Sequence, residues 1–258
     1  MTHVADHVFI LARRSVVRTI RQPANVIFPL VFPLLLLAVN AGGLHAATHL
    51  PGFPTSSFVA FALAIPFIQG ALFATMNAGT DLARDIQTGF LNRLALTPLR
   101  GVALLAGQLG GIVTMGLVQA LVYLGVGLAV GVRLESGPAG ALVLLAFAVL
   151  ISIGFGALGA FAALRTGSGE AVQSLFPAFF VFLFLSSMNL PRNLIETGWF
   201  RDVATVNPVS YLIECIRSLI IEGWDGEALA LGFGIAAGLT VVAVTLATMA
   251  LRTRLARS

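Results

Sequence analysis

The chain has 258 residues, of which 58% are hydrophobic and only 10% charged, with a mean hydropathy of +0.96. That composition excludes a water-soluble globular domain of this length. The net charge of +4 sits in short arginine clusters beside apolar runs, which fits insertion topology and anionic headgroups and argues against nucleic acid as a partner.

The amino-terminal segment, residues 1–25, reads as an amphipathic helix lying in the membrane interface. Arg14, Arg18 and Arg21 share one face, and Phe9, Ala12, Val16 and Ile20 share the other. Six apolar runs follow, near 26–47, 58–80, 102–131, 141–164, 171–190 and 228–251. A hydrocarbon core about 30 Å thick needs about 20 helical residues, so each run is read as a span. Arginines fall mostly in alternate gaps, eleven on the side of the two termini against four on the other, namely Arg133, Arg192, Arg201 and Arg217. Basic residues are retained in the cytoplasm during insertion, which predicts cytoplasmic termini. The absence of lysine and the wealth of Ala, Gly, Val and Leu point to a high-GC bacterial genome and a bacterial inner membrane.

In the first span, Pro29 and Pro33 predict a bend. His45 and His49 have i, i+4 spacing, but Pro51, Gly52 and Pro54 favour an external loop over a metal-binding helix. The second span carries Gln69, Phe73 and Asn77 and runs into a charged cytoplasmic segment, 81–101. There Asp81, Arg84 and Asp85 extend the helix, Gly89 breaks it, and Phe90, Leu91 and Leu94 form an exposed apolar knob. Small residues at four-residue spacing, Gly107 and Gly111, Gly127 and Gly131, Ser152 and Gly156, Gly234 and Gly238, predict packing seams between spans. The fifth span holds Phe176, Phe180 and Ser187. In the external segment 191–227, Asn207-Pro208 starts an amphipathic helix that Gly223 stops. That helix is expected to lie on or dip into the outer leaflet, with Glu214 and Arg217 one turn apart and able to pair.

The fold class is therefore all-α: a polytopic membrane protein of six transmembrane helices in a single domain, 1–258, with an interfacial helix at its start and an external helix before its last span. Without lysine the chain can hold no G-x-x-x-x-G-K-[ST] phosphate loop, and it has no zinc cluster, nucleophile elbow or other catalytic constellation. The span centres carry no charge, which speaks against ion coupling within the chain.

Three features together resemble the ABC-2 type permeases, the membrane subunits of ABC exporters, and in flavour those of daunorubicin-resistance type. They are the amphipathic amino-terminal helix, Arg84-Asp85-Ile-Gln-Thr-Gly89-Phe90-Leu91-Asn-Arg93-Leu94 with Thr97-Pro98, and Val206-Asn207-Pro208-Val209-Ser210-Tyr211-Leu-Ile-Glu214-Cys-Ile-Arg217 with Gly223. The resemblance implies a permease dimer, of identical or related chains, powered by a separate ATP-binding subunit that carries ATP and magnesium, with no cofactor in this chain. It implies a coupling element at Asp85, Gln87, Gly89, Phe90, Asn92, Arg93 and Leu94, and an external helix marked by Asn207, Pro208, Glu214 and Arg217. Positions facing the pathway would be Gln69, Phe73, Asn77, Phe176, Phe180 and Ser187. The expected function is outward transport of a hydrophobic or amphipathic substrate, a drug, lipid or lipid-linked glycan, by alternating access. The competing reading is a self-contained channel or secondary carrier.

Overall fold

The computed structural model describes residues 10, 12–15, 17, 21, 23–91 and 101–255, and no strand occurs among them. The helices, in chain order, are α1 (Pro23–Gly43), α2 (Phe58–Ala62), α3 (Ala64–Gln87), α4 (Gly101–Ala129), α5 (Gly137–Thr166), α6 (Gly169–Gln173), α7 (Leu175–Phe184), α8 (Gly198–Val206), α9 (Pro208–Arg217) and α10 (Gly226–Leu255). Among the described residues, five elements are long and apolar enough to cross a membrane, α1, the pair α2–α3, α4, α5 and α10, and a sixth is added if the bent pair α8–α9 counts as one span. The protein is an all-α polytopic membrane protein.

The second span is the axle of the bundle. Of its apolar window 94% is buried, against 17% for α1 and for α10, which stand at the periphery. Its closest neighbour is α5, and Gly159 is what lets the two backbones meet: a Cβ there would lie 1.9 Å from the Thr75 carbonyl oxygen. The Thr75 hydroxyl donates to Phe155 O at 2.9 Å across the same contact. Other predicted small-residue seams are also filled, Gly111 against Ser15, Gly127 against Leu63 and Gly156 against Ile112. Gly131, Gly234 and Gly238 are not; nothing lies within 4 Å of a Cβ at any of them, so the face of α10 that carries the last two is open in the single chain.

Proline sets the internal chemistry of α1. Pro29 and Pro33 have no N–H to give to the carbonyls of Asn25 and Pro29, four residues earlier, and a bare carbonyl in an apolar bundle is costly. Both are capped from other helices. The Asn77 side chain donates to Asn25 O at 3.2 Å, and the buried Tyr123 hydroxyl donates to Pro29 O at 2.5 Å. The proline-bearing part of the first span is thus riveted to α3 and α4.

The fifth run departs from expectation. Instead of a helix over 171–190, α6 and α7 form a shorter apolar segment, Gly169–Phe184, about 24 Å at 1.5 Å per residue. Beyond it the chain leaves helical form, and Ser186, Ser187 and Met188 are buried. The external segment explains how. The helices α8 and α9 meet at an 80° bend, and the second arm of this bent pair, termed the hairpin, supplies the missing partners.

Candidate functional site

At the arginine-rich end, the charges after span two are held by the amino-terminal helical turn. Arg14 donates to both carboxylate oxygens of Asp85, at 3.0 and 3.4 Å, and its guanidinium lies 3.8 Å from the centre of the Phe90 ring. Ala12 and Ser15, on the same turn, pack on Gly110 and Gly111 of α4, which explains why the arginine reaches this point. Gly89, at φ +69°, reverses the chain, and Phe90 and Leu91 resume helical form. Leu91 is not part of an exposed knob. It is buried among Leu82, Ala163, Val172 and Leu251, while half-buried Phe90 lies under Arg14. The Gln87 amide donates to Gly167 O at 3.1 Å, tying this turn to the loop after α5. Asn92, Arg93 and Leu94 lie outside the described residues. Beside the turn is a polar cavity of about 490 Å³, lined by Asn25, Asp81, Arg84, Gln87, Glu170 and Gln173 among others.

The six residues expected along a pathway do not lie together. Phe73, Phe176 and Phe180 come together: ring centres are 5.2 Å apart between Phe73 and Phe176, and 4.6 Å between Phe176 and Phe180. Phe28 and Phe32 of α1 extend this wall at 5.5 and 6.1 Å from Phe73, and Phe184 extends it at 6.1 Å from Phe180. Phe28 and Phe184 are largely exposed, so the wall is open along its flank. Asn77 caps α1, as described. Gln69 is buried inside span two, and its Oε1 has no hydrogen-bond partner among the described residues; the same holds for both amide atoms of buried Gln119. Ser187 is fully buried in the irregular chain after α7, and its N–H donates to Ser210 Oγ of α9.

At the opposite end, Asn207 caps α9 by accepting Val209 N–H at 2.9 Å, with Pro208 at the first helical position. Its amide nitrogen donates to Phe182 O at 2.6 Å and Leu185 O at 3.0 Å, carbonyls at the end of α7. The helix ends in a π-helical turn, Ser218–Glu222, before Gly223 at φ +92°. The element is helical where the sequence placed it, and it is packed into the protein. Nearly all of α9 is buried, with Gly232 of α10 packed on Cys215.

Glu214 and Arg217 do not form the expected pair. Glu214 accepts from Arg192 at 2.5 Å, and Arg192 stacks 4.5 Å from the Tyr211 ring centre. Burial opposes the Arg192 charge, but Glu214 and the Tyr211 hydroxyl outweigh it and hold its pKa above the ordinary value. Arg217 turns inward. Its Nε donates to Phe61 O at 3.0 Å, its Nη1 to Ser187 O at 2.5 Å and its Nη2 to Met188 O, with the guanidinium 3.5 Å from the Phe61 ring centre. On a helix, positions 214 and 217 are neighbours, yet a carbonyl cage competes better for a planar five-donor cation than one half-exposed carboxylate does. Arg192, Tyr123 and the inward role of Arg14 had no local signal, since each partner is 19 or more residues away in sequence.

These features can be set beside known proteins. The family model described as ABC-2 type transporter matches residues 6–221. The chain belongs to the ABC-2 type transporter family. It is 30% identical over 201 residues to the daunorubicin resistance ABC transporter permease protein DrrB1 of Streptomyces coeruleorubidus, a match covering 76% of this chain and 66% of that protein. It is 25% identical over 216 residues to the putative transport permease ycf38 of Cyanophora paradoxa, covering 83% and 74%, and 26% identical over 210 residues to that of Porphyra purpurea, covering 80% and 71%. The chain thus spans just under two thirds of the first relative's length. This ABC-2 family member is a multi-pass membrane protein, and the hairpin lies within the matched region except for its last residue.

Proposed function

We propose that the chain is the membrane subunit of an ATP-driven exporter, with both termini cytoplasmic, working as a dimer of identical or related permeases. The observation that carries this reading is the assembly at the arginine-rich end, where Arg14 clamps Asp85 and covers Phe90. A turn of the amino-terminal helix, the end of the central span and a reversing turn are there joined by one side chain. An ATPase subunit docking on Gln87, Gly89 and Phe90, with Asn92, Arg93 and Leu94 following in sequence, would displace the axle of the bundle directly. ATP and magnesium belong to that subunit, since this sequence has no phosphate-binding loop.

The aromatic wall from Phe28 to Phe184, open along its flank, suits a hydrophobic or amphipathic substrate moving outward by alternating access. The name of the daunorubicin resistance relative supports a drug as one such substrate. The test is reconstitution of the permease with its ATPase in vesicles. ATP-dependent movement of an amphipathic dye, lost when the ATPase is omitted, is the expected result. Transport at an undiminished rate without ATP would identify a channel or carrier instead.

A further inference from the structure

We infer that Arg217 is the positioning residue of the outer gate: it latches the hairpin and the end of α7 to the break in span two, and outward opening requires this latch to part. The inference rests on the exporter reading for its direction, but the latch itself is tested without it.

The three carbonyls that Arg217 holds come from two separate elements. Ser187 O and Met188 O belong to the irregular chain after α7, and Phe61 O belongs to α2, two residues before the break at Leu63. Asn207 and Ser210 fasten the hairpin to that same chain: Asn207 donates to Phe182 O and Leu185 O, and Ser210 Oγ accepts Ser187 N–H at 3.1 Å. A second anchor joins the hairpin to the start of α5, where Ser136 Oγ donates to Leu219 O at 2.6 Å and Glu135 N–H to Ile220 O at 3.2 Å. Hairpin, α7 end and α5 start therefore form one body. Arg217 joins that body to span two, through Phe61 by both its main chain and its ring.

The chemistry suits a latch. A guanidinium in a cage of neutral carbonyls is held by dipoles without charge neutralisation, so it makes strong directional bonds while keeping a drive toward water. A polar cavity lies close by: Arg217 lines a space of about 480 Å³ with Arg192, Glu214, Tyr211, Glu222 and Asp225. When span two separates from the hairpin, the cation can turn toward that cavity, where Glu214 stands one turn away.

The experiment uses Ser187 as reporter. It is fully buried and its hydroxyl has no hydrogen-bond partner among the described residues, so Ser187→Cys removes no side-chain bond. In a Cys215→Ala background, Ser187→Cys is treated in vesicles with a membrane-impermeant maleimide, and Ala148→Cys, buried in span four, serves as control. With Arg217 present and no ATPase, both cysteines are expected to be unreactive. With Arg217→Met, labelling of Ser187→Cys is expected to rise about tenfold or more, because each charge-assisted hydrogen bond lost shifts such an opening by at least about that factor. The control should stay silent, and Arg217→Lys should restore part of the protection. An unchanged labelling rate in Arg217→Met overturns the latch, and so does equal labelling of the control, which would make Arg217 a prop of the whole fold. Adding the ATPase and ATP to the Arg217 form tests the cycle separately: protection that does not respond to ATP defeats the exporter reading while leaving the latch in place.

Discussion

Arg14 and Asp85 are 71 residues apart in sequence and 3.0 Å apart in space, and their contact turns a surface helix and the end of the central span into one unit. Asp85 is almost wholly buried while Arg14 is partly exposed, so the pair is stronger than a surface bridge but still screened on one side. A double-mutant cycle of Arg14→Ala and Asp85→Asn, read by thermal unfolding in detergent, should show coupling on the order of 1 kcal/mol. Strict additivity would mean that the two side chains act independently.

Phe90 combines an apolar ring with a cation on its face, and it sits on the turn proposed to meet the ATPase. Phe90→Ala should leave the permease folded and weaken copurification of the ATPase about tenfold or more, since a few anchors carry most of such an interface. Leu91→Ala is the contrasting variant. Leu91 lies in the core, so its truncation should lower thermal stability by roughly 2 to 3 kcal/mol instead. Full ATPase retention with full transport in Phe90→Ala would remove this turn from the docking surface.

Topology supplies a third test. Arginine asymmetry and the proposed direction of transport both place Thr88 inside and Gly198 outside. Single cysteines at these positions, in a Cys215→Ala background, should be labelled only from the cytoplasm and only from the exterior respectively. Equal labelling from one side, or the reverse pattern, would invert or discard the orientation.

How much of this was legible beforehand depended on whether the cause was local. Apolar run length placed the spans, Gly89 and Gly223 marked real reversals, and Asn207-Pro208 set the start of α9, because capping and left-handed backbone are decided within a few residues. The shortened fifth run was not legible. Its composition is uniformly apolar, and it stops where Asn207 and Arg217, more than 20 residues later, take up its carbonyls. Asn77 read as a pathway residue for the same reason. Its actual task, capping a carbonyl stranded by Pro29, is visible only once α1 and α3 are side by side, although two prolines four apart do announce that some donor must come. Of the six residues chosen from sequence, the rings of Phe73, Phe176 and Phe180 come together, whereas Gln69 and Ser187 are enclosed.

The pairing of Glu214 with Arg192 makes a charge-swap prediction that differs from the one helical spacing gives. Both side chains are about a quarter exposed, so the direct contact should contribute about 0.5 to 1 kcal/mol. Reversing both, Arg192→Glu with Glu214→Arg, should recover most of the transport lost in either single variant. Reversing Glu214 with Arg217 should recover none, because a carboxylate at position 217 would face three carbonyl oxygens. Rescue by the second swap and not the first would restore the helical pair.

Asn207 offers the sharpest separation of roles, since its two amide atoms do different work. The oxygen caps α9, and the nitrogen holds Phe182 O and Leu185 O. Asn207→Asp keeps an acceptor for Val209 N–H, and as an anion it is as good a cap or better at a helix start. It also sets a second acceptor against two carbonyls, with a penalty of roughly 1 to 3 kcal/mol for the unmatched buried groups. If the cap were the main role, Asp would be tolerated and Ala would cost about 1 kcal/mol. The double bond to the end of α7 predicts the opposite order, with Asp at least as damaging as Ala and both lowering transport more than ATPase binding. Thermal unfolding and transport rates of the two variants decide the matter, and an Asp variant with near-normal stability would show that the end of α7 is held without Asn207.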